Sequence, residues 1–386
     1  MSETVQFEEF EVSQVTGFAA EFVDSLPDYY SPWHELASHT VDLVTAQKMR
    51  SETEKLPLLD PSQLTDFKDL RLAHLQLVMI TAGYAWEQGA EQVAQAIPAN
   101  VAIPLCEISD KLGVQPGMSY FDIIGNWTRR DKHGPYSRQN IQPKYMLPGG
   151  EDYVGFLSLA IQMEVYFTKS FPAIQSILTA MKGKDEALAL SALKDLQSWF
   201  KEYSSLAKEF HNVMQPDIFF RVITSFLRGF NETCGLPDGM LYEGVTDRPR
   251  RIVINSAASQ ATVFQIMDTL LGVRYPEDKQ AFFKKLRTSW CEKHRQLFEM
   301  IQQWPGSLRD LAEKNSSPEL TLAYNALVDS IKEFRSYHVQ LVTKYTVIPN
   351  KRLRNEFNIE SPDHFAYLMP LLKGIRDVSA TNKLEV

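Results

Sequence analysis

A histidine and an arginine stand close together on a long helical segment near the C-terminal end of the chain. Apolar residues recur there at spacings of three and four, so that one helix face carries Ile331, Phe334, His338, Leu341, Val342 and Tyr345. Arg335 precedes His338 by three residues and therefore projects from the same side. A buried imidazole can bind haem iron, and a nearby guanidinium can neutralise a haem propionate. The pattern also fits a core histidine bonded to the backbone, beside an arginine whose charged end reaches water.

The other histidines form no second metal-binding pattern. They are scattered along the chain as His34, His39, His74, His133, His211, His294 and His364. No histidine or carboxylate stands four residues from His338 in an H-E-x-x-H-like arrangement. A mononuclear iron site with histidine and carboxylate ligands stays an alternative, although no cluster of ligands indicates one. Because their sequence neighbours are largely polar, we expect His34, His133 and His294 to be exposed.

The elements that would position these residues are helices. Apolar spacings predict helices over 41–54, 67–87, 153–181, 185–213, 216–230, 259–271, 278–303 and 318–347. Ser317 is a suitable N-cap for the last of these, Gly272 is suited to end one helix, and Pro349 reads as a stop signal after another. Alternating strand patterns are scarce, with short candidates at 5–12 and 241–242. The sequence therefore predicts an all-α fold.

The clearest interruption lies between 129 and 152, where glycine, proline and charged residues are concentrated. We place a smaller N-terminal helical domain over 1–147 and a larger C-terminal helical domain over 148–386. A second irregular segment runs from 235 to 258. We expect the polar tail after Val378 to fray.

Composition is that of an ordinary globular protein. The 386 residues are 44% hydrophobic, which is enough for a sizeable core without disulfides. The three cysteines form no C-x-x-C pair, which disfavours zinc ribbons and covalent haem attachment and suits a reducing compartment. A net charge of −8 argues against nucleic acid as the main partner. The chain shows neither a signal-peptide pattern nor an apolar run that could cross a membrane, so we expect a cytoplasmic protein, and we expect a monomer.

Short motifs carry a family resemblance from about residue 18 to the end of the chain. The N-terminal part contains Leu-Pro-Asp-Tyr-Tyr at 26–30, Ile-Pro-Ala-Asn-Val-Ala-Ile-Pro at 97–104 and Asn-Trp at 126–127. The C-terminal part contains Asp-Gly-Met-Leu-Tyr-Glu-Gly at 238–244, Ser-Ala-Ala-Ser-Gln at 256–260 and the segment around His338. Each match is short, but together and in this order they resemble the indoleamine 2,3-dioxygenase family.

The resemblance implies a two-domain, all-helical fold with non-covalent haem b between the domains and O₂ as co-substrate. His338 would be the axial iron ligand, and Arg335 would bind a haem propionate. Asp268 corresponds to an aspartate that supports this arginine, although an acid on a helix surface is the alternative. A loop over the haem edge, where small residues permit close backbone approach, would consist of Ser256, Ala257 and Ala258.

On the substrate side, the resemblance assigns two pocket aromatics, Phe156 and Phe219. Core stripes of any helical bundle would show the same spacing. Tryptophan-degrading members of the family have an arginine five residues after the second aromatic, where it binds the substrate carboxylate, and this chain has Thr224 there. Arg221 and Arg228 lie three residues before and four after Thr224, on a similar helix face one turn away.

Three further departures fall on the same side. Ala160 stands where some members have a distal serine, and Ser119 stands where they have a pocket tyrosine. The glycine-rich closing loop is replaced by Asn-Glu-Phe-Asn-Ile-Glu-Ser-Pro at 355–362. The haem side keeps the family pattern, so the resemblance implies retained iron–oxygen chemistry with an altered substrate.

The expected activity is haem-dependent insertion of O₂ into the C2–C3 bond of tryptophan or another indole, giving an N-formylkynurenine-type product. An indole without a free carboxylate, or a modified tryptophan, fits Thr224 better than L-tryptophan, because threonine cannot make the bidentate contact of a guanidinium. Two alternatives are a monooxygenase acting on such an indole and a non-catalytic haem-binding protein.

Overall fold

The computed structural model describes residues 4–19, 23–89, 92–255, 258–314, 317–358, 363 and 365–385. The N-terminal part contains the helices α1 (Ser31–Ser38), α2 (Thr40–Thr45), α3 (Met49–Thr53), α4 (Phe67–Trp86), α5 (Ala99–Leu112) and α6 (Tyr120–Gly125). The C-terminal part contains α7 (Gly150–Phe167), α8 (Phe171–Gly183), α9 (Glu186–Lys208), α10 (Phe210–Val213), α11 (Pro216–Ile218), α12 (Thr224–Phe226), α13 (Thr262–Leu270), α14 (Glu277–Arg287), α15 (Glu292–Gln302), α16 (Leu308–Lys314), α17 (Pro318–Val342), α18 (Ile348–Glu356) and α19 (Leu368–Ala380). The predicted all-α fold class is confirmed.

Short strands connect distant parts of the chain. They are β1 (Ala96–Ile97), β2 (Thr128–Arg129), β3 (Ile141–Gln142), β4 (Met240–Tyr242) and β5 (Arg250–Arg251). β1 pairs in parallel with β4, and β4 pairs antiparallel with β5, so this small sheet joins the segment before α5 to the segment after α12. β2 and β3 form a separate antiparallel pair within the irregular segment at 129–152. The division into domains at 147 stays a prediction.

The hydrophobic core extends through both parts of the chain as one cluster of buried side chains. α4 is buried on nearly every face from Leu70 to Trp86 and packs against α1 and α5, which explains why its sequence is apolar all round. In the C-terminal part, α9 packs against both α8 and α17. No helix in the described ranges is both long and apolar enough to cross a membrane.

Several predicted helices are shorter than the apolar spacing indicated. The helix expected at 41–54 is broken by Gln47, whose φ of 53° is left-handed. The one expected at 153–181 passes through a 3₁₀ turn at Thr168–Ser170 before Pro172, which has no backbone N–H to donate. The segment 5–12 forms a 3₁₀ turn at Phe7–Phe10, so the expected strand there is wrong.

The C-terminal tail is ordered by hydrogen bonds, contrary to the expectation that it frays. Ser379 and Asn382 are buried. Asn382 donates to the carbonyl oxygen of Leu271 at 3.0 Å. The backbone of Leu384 exchanges two hydrogen bonds of 2.8 and 2.9 Å with the side chain of Asn325 on α17. The tail is polar in sequence because its polar groups are paired inside the protein.

Candidate functional site

His338 lies on α17, a helix of 25 residues whose first turn is capped by Ser317, which accepts a hydrogen bond from the backbone of Leu320 at 3.3 Å. The imidazole is partly accessible to solvent. Neither ring nitrogen is bonded to a described residue, so a core histidine satisfied by the backbone does not account for it. Burial, and then the charge of Arg335, lowers the pKa of His338 to about 4. The ring is therefore neutral at neutral pH, the form that binds metals.

Arg335 forms a buried, bidentate ion pair with Asp268 on α13. Its Nη1 and Nη2 atoms lie 3.1 and 2.6 Å from the two carboxylate oxygens, and both residues are less than a tenth exposed. Burial acts to lower the pKa of Arg335, but the carboxylate of Asp268 outweighs it and raises the pKa overall. The alternative that Asp268 is a surface acid is therefore excluded.

Two hydroxyl groups complete the surroundings of this ion pair. Tyr275 donates to a carboxylate oxygen of Asp268 at 2.9 Å, and Ser379 on α19 contacts Arg335 directly. The three helices α13, α17 and α19 are thereby joined around one guanidinium. The charge of Arg335 is balanced by Asp268 without any ligand. The contact of Arg335 with a haem propionate stays a prediction.

The two predicted pocket aromatics contact each other. The ring centroids of Phe156 on α7 and Phe219 are 5.5 Å apart in an edge-to-face arrangement, and both rings are partly accessible. Gly155 lies so close to Val213 that a Cβ there would come within 2.7 Å. The close crossing of α7 and α10 therefore fixes where Phe156 sits.

Two π-helical turns, at Phe219–Ile223 and Thr343–Val347, meet beside these aromatics. The ring of Tyr345 in the second turn lies 5.9 Å from that of Phe219 in the first. Tyr345 thereby connects the turn that follows α17, the helix of His338, with the first of the two π turns. Pro349 does not stop the helix as expected, because the π turn ends there and α18 begins with Pro349 in its first turn.

The three polar residues around position 224 have separate surroundings. Thr224 is half-buried, and its hydroxyl donates to the carbonyl oxygen of Phe220 at 2.6 Å. Arg221 is exposed and lies 2.8 Å from Glu356. Arg228 is partly exposed and lies beyond the end of α12. Their common helix face stays a prediction, since Arg221 lies within the π turn and Arg228 lies beyond the end of α12.

The remaining predicted site residues differ in burial and in hydrogen bonding. Ala160 is buried on α7, one turn after Phe156. Ser119 caps α6, donating to the carboxylate of Asp122 at 2.6 Å, so its hydroxyl already has a structural partner. Ser256 and Ala257 lie outside the described residues. Ala258 is exposed and begins a short 3₁₀ turn.

A buried carboxyl group near this site was missed from the sequence. Glu164 on α7 is 1% exposed, and Tyr120 donates to one of its oxygens at 2.8 Å. The other oxygen has no partner among the described residues. Burial raises the pKa of Glu164 to about 7. Its spacing on α7 is the only sequence signal, since Phe156, Ala160 and Glu164 recur every four residues.

His294 was also misjudged, whereas His34 and His133 are exposed as expected. His294 is 1% exposed and lies edge-on to Phe18, with ring centroids 4.8 Å apart. Burial lowers its pKa to about 3. Its neighbours in the sequence are polar because they lie on the outer face of α15.

The described residues fit a haem group whose iron is bound by His338. The imidazole is neutral, unbonded and partly accessible, and a buried arginine lies next to it. Phe156 and Phe219 offer two apolar rings in contact with each other, and the second of them also contacts Tyr345 in the turn that follows α17. The roles of these residues toward haem and substrate remain predictions.

The chain is similar to known proteins along nearly its whole length. The family model described as indoleamine 2,3-dioxygenase matches residues 6–379. A protein named Myoglobin from Haliotis diversicolor is 34% identical over 382 residues, which cover 97% of this chain and 97% of the relative. Indoleamine 2,3-dioxygenase 1 of Mus musculus is 32% identical over 350 residues, covering 89% of this chain and 86% of its own. Indoleamine 2,3-dioxygenase 2 of Homo sapiens is 32% identical over 345 residues, covering 89% and 84%.

Proposed function

The chain belongs to the indoleamine 2,3-dioxygenase family, whose members are haem-dependent and use O₂, and from that premise we propose that it oxidises tryptophan or another indole. The proposed reaction inserts both atoms of O₂ across the C2–C3 bond and gives an N-formylkynurenine-type product. The observation that carries the proposal is His338, an unbonded neutral imidazole beside a buried ion pair.

The reaction balances without an external reductant. The C2–C3 bond of the indole breaks, and each of the two carbons gains one oxygen atom from O₂ as a carbonyl oxygen. Haem, when bound, supplies the iron that activates O₂.

The chain's own residues would bind the haem iron and position the indole. His338 would bind the iron through a neutral ring nitrogen, and the ion pair of Arg335 with Asp268 would fix the helix that carries it. Phe156 and Phe219 would hold the indole ring and keep water away from it. Thr224, with its hydroxyl bonded to the backbone, would offer no strong contact to a substrate carboxylate at its position.

A second candidate function is reversible binding of O₂ without turnover. The observation that favours it is the name Myoglobin of the Haliotis relatives, which match the chain over nearly its whole length. Such a protein would need the same iron ligand but no productive indole pocket.

The experiment that separates these functions uses haem-loaded, reduced protein with L-tryptophan and a panel of carboxylate-free indoles under ¹⁸O₂, followed by mass spectrometry. We expect a product that carries two labelled oxygen atoms. One labelled atom would assign a monooxygenase. A protein that binds O₂ reversibly and oxidises no indole would support the second candidate and refute the oxygenase.

A further inference from the structure

The last helix of the chain, α19, runs alongside α17 and the π turn that follows it. Near the start of α19, the sulfur of Met369 lies 3.7 Å from the hydroxyl oxygen of Thr343, and in its last turn Ser379 contacts Arg335. Position 338 falls between the two contacted positions, 335 and 343. α19 is therefore antiparallel to α17 and borders the segment that carries His338.

α19 leaves much of its apolar surface uncovered. Ile375 is buried. The apolar side chains that stay partly accessible are Leu368, Met369, Leu371, Leu372 and Val378. On α17, Leu341 and Val342 are partly accessible as well, close in sequence to His338. Partly accessible apolar side chains on two neighbouring helices offer a surface that a largely apolar ligand such as haem would cover.

A short tail after α19 fastens this helix to the rest of the protein. The guanidinium of Arg309 on α16 donates to the backbone oxygen of Asn382 at 2.6 Å and to its side-chain oxygen at 3.0 Å. The side chain of Asn325 on α17 pairs with both backbone groups of Leu384, at 2.8 and 2.9 Å. The C-terminal end of α19 is thus tied to α16 and α17.

The fastening is mostly polar. Leu384 is the buried apolar side chain of the tail, and the other contacts are hydrogen bonds, which water can replace when the tail detaches. A terminal segment held in this way opens locally at a lower free energy than a core helix. Its release would free the C-terminal end of α19 while α9 still packs against α17.

We propose that α19 is a movable wall of the haem site and that the tail, residues 381–385, is the latch that keeps this wall closed. Haem enters and leaves when the latch detaches and the C-terminal end of α19 moves away from α17. The inference rests on the proposed function, because it presumes a haem bound through His338. With the latch closed, Ser379 keeps its contact with Arg335, three residues before the iron ligand.

The test measures how fast haem passes from the loaded ferric protein to an excess of a haem-scavenging globin. Asn325→Leu keeps the approximate size of the side chain but removes both hydrogen bonds to Leu384, so haem loss should become about 10- to 100-fold faster. The matched control is Asp329→Asn, one turn further along α17, which removes the exposed ion pair with Lys383. That variant should change the rate less than about threefold.

A second measurement separates the latch from a general loss of stability. Unfolding of the haem-free proteins after a jump in urea concentration gives the rate of global unfolding. In Asn325→Leu, haem loss should accelerate more than global unfolding does. Backbone hydrogen exchange should accelerate in α19 and stay unchanged in α4, which is buried on nearly every face.

Two results would overturn the latch. Haem loss in Asn325→Leu could accelerate only in step with global unfolding, or Asp329→Asn could accelerate it equally. Stable haem binding with the same rate of loss in every variant would refute the latch alone. An unmodified protein without a Soret band after haem loading would refute the proposed function together with the latch.

Discussion

The two sides of the candidate site differ in how their charged groups are paired. On the proximal side, Arg335 is matched by Asp268, and Tyr275 and Ser379 fill the remaining positions around the pair. On the side of Phe156 and Phe219, the hydroxyl of Thr224 donates to the backbone of Phe220, and Arg221 is paired with Glu356 at the protein surface.

This difference indicates which side of the site has its charges balanced without a ligand. The proximal ion pair needs no ligand to be balanced, so it can hold the helix of His338 in place before haem binds. The other side keeps two partly accessible aromatic rings, Phe156 and Phe219, which a ligand would cover. The departures from the family pattern at Thr224, Ala160 and Ser119 fall on this second side.

The largest expected effect comes from breaking the proximal pair. Asp268→Asn keeps the shape of the side chain but leaves the buried charge of Arg335 unpaired, so the free energy of unfolding should fall by about 3–5 kcal/mol in a urea titration. The control is Asp329→Asn in the exposed pair with Lys383, where the nitrogen and oxygen lie 2.7 Å apart. That substitution should cost less than about 1 kcal/mol. Equal losses in the two variants would show that burial of the proximal pair does not matter.

A second prediction concerns the buried carboxyl group of Glu164. Burial raises the pKa of Glu164 from 4.5 to about 7, so its protonated form contributes stability that is full below pH 4.5 and lost as the pH rises through 7. Glu164→Gln stays neutral, so it should be more stable than the unmodified protein by about 3 kcal/mol at pH 8 and by less than about 1 kcal/mol at pH 5. Unfolding titrations at both pH values measure this. The exposed Glu333→Gln serves as control, and a gain in Glu164→Gln that does not depend on pH would contradict the prediction.

A smaller effect is expected when a guanidinium is placed at position 224, where tryptophan-degrading members of the family have an arginine. Thr224→Arg should tighten binding of L-tryptophan by about 10- to 100-fold, because a charged hydrogen bond contributes about 1.5–3 kcal/mol. Thr224→Gln adds length without charge and should not tighten it. Equal tightening by the glutamine variant would contradict the carboxylate explanation.

The sequence predicted the proximal side well because its elements are regular. The α17 helix, its Ser317 cap and the common side of Arg335 and His338 follow from spacing and capping preferences. The resemblance supplied Asp268, which lies 67 positions from Arg335 and which no local pattern could have linked to it.

The distal side could not be predicted as well, for physical reasons. A π turn inserts the equivalent of one residue into a helix, and apolar spacing did not reveal the π turn at Phe219–Ile223 inside the helix predicted at 216–230. The burial of His294 and of the polar tail depends on distant partners such as Phe18 and Asn325. Local polarity indicated exposure at both places, but tertiary contacts decide burial.

The proposed function depends on His338 binding the iron of a bound haem. The most direct test compares the absorption spectra of the reduced, haem-loaded protein and its His338→Ala variant, with His211→Ala as a control, since His211 is bonded to Tyr345 on the same segment. We expect a Soret band that is lost or shifted only in His338→Ala and is restored by added imidazole. An unchanged spectrum in His338→Ala, or no Soret band in the unmodified protein, would contradict it.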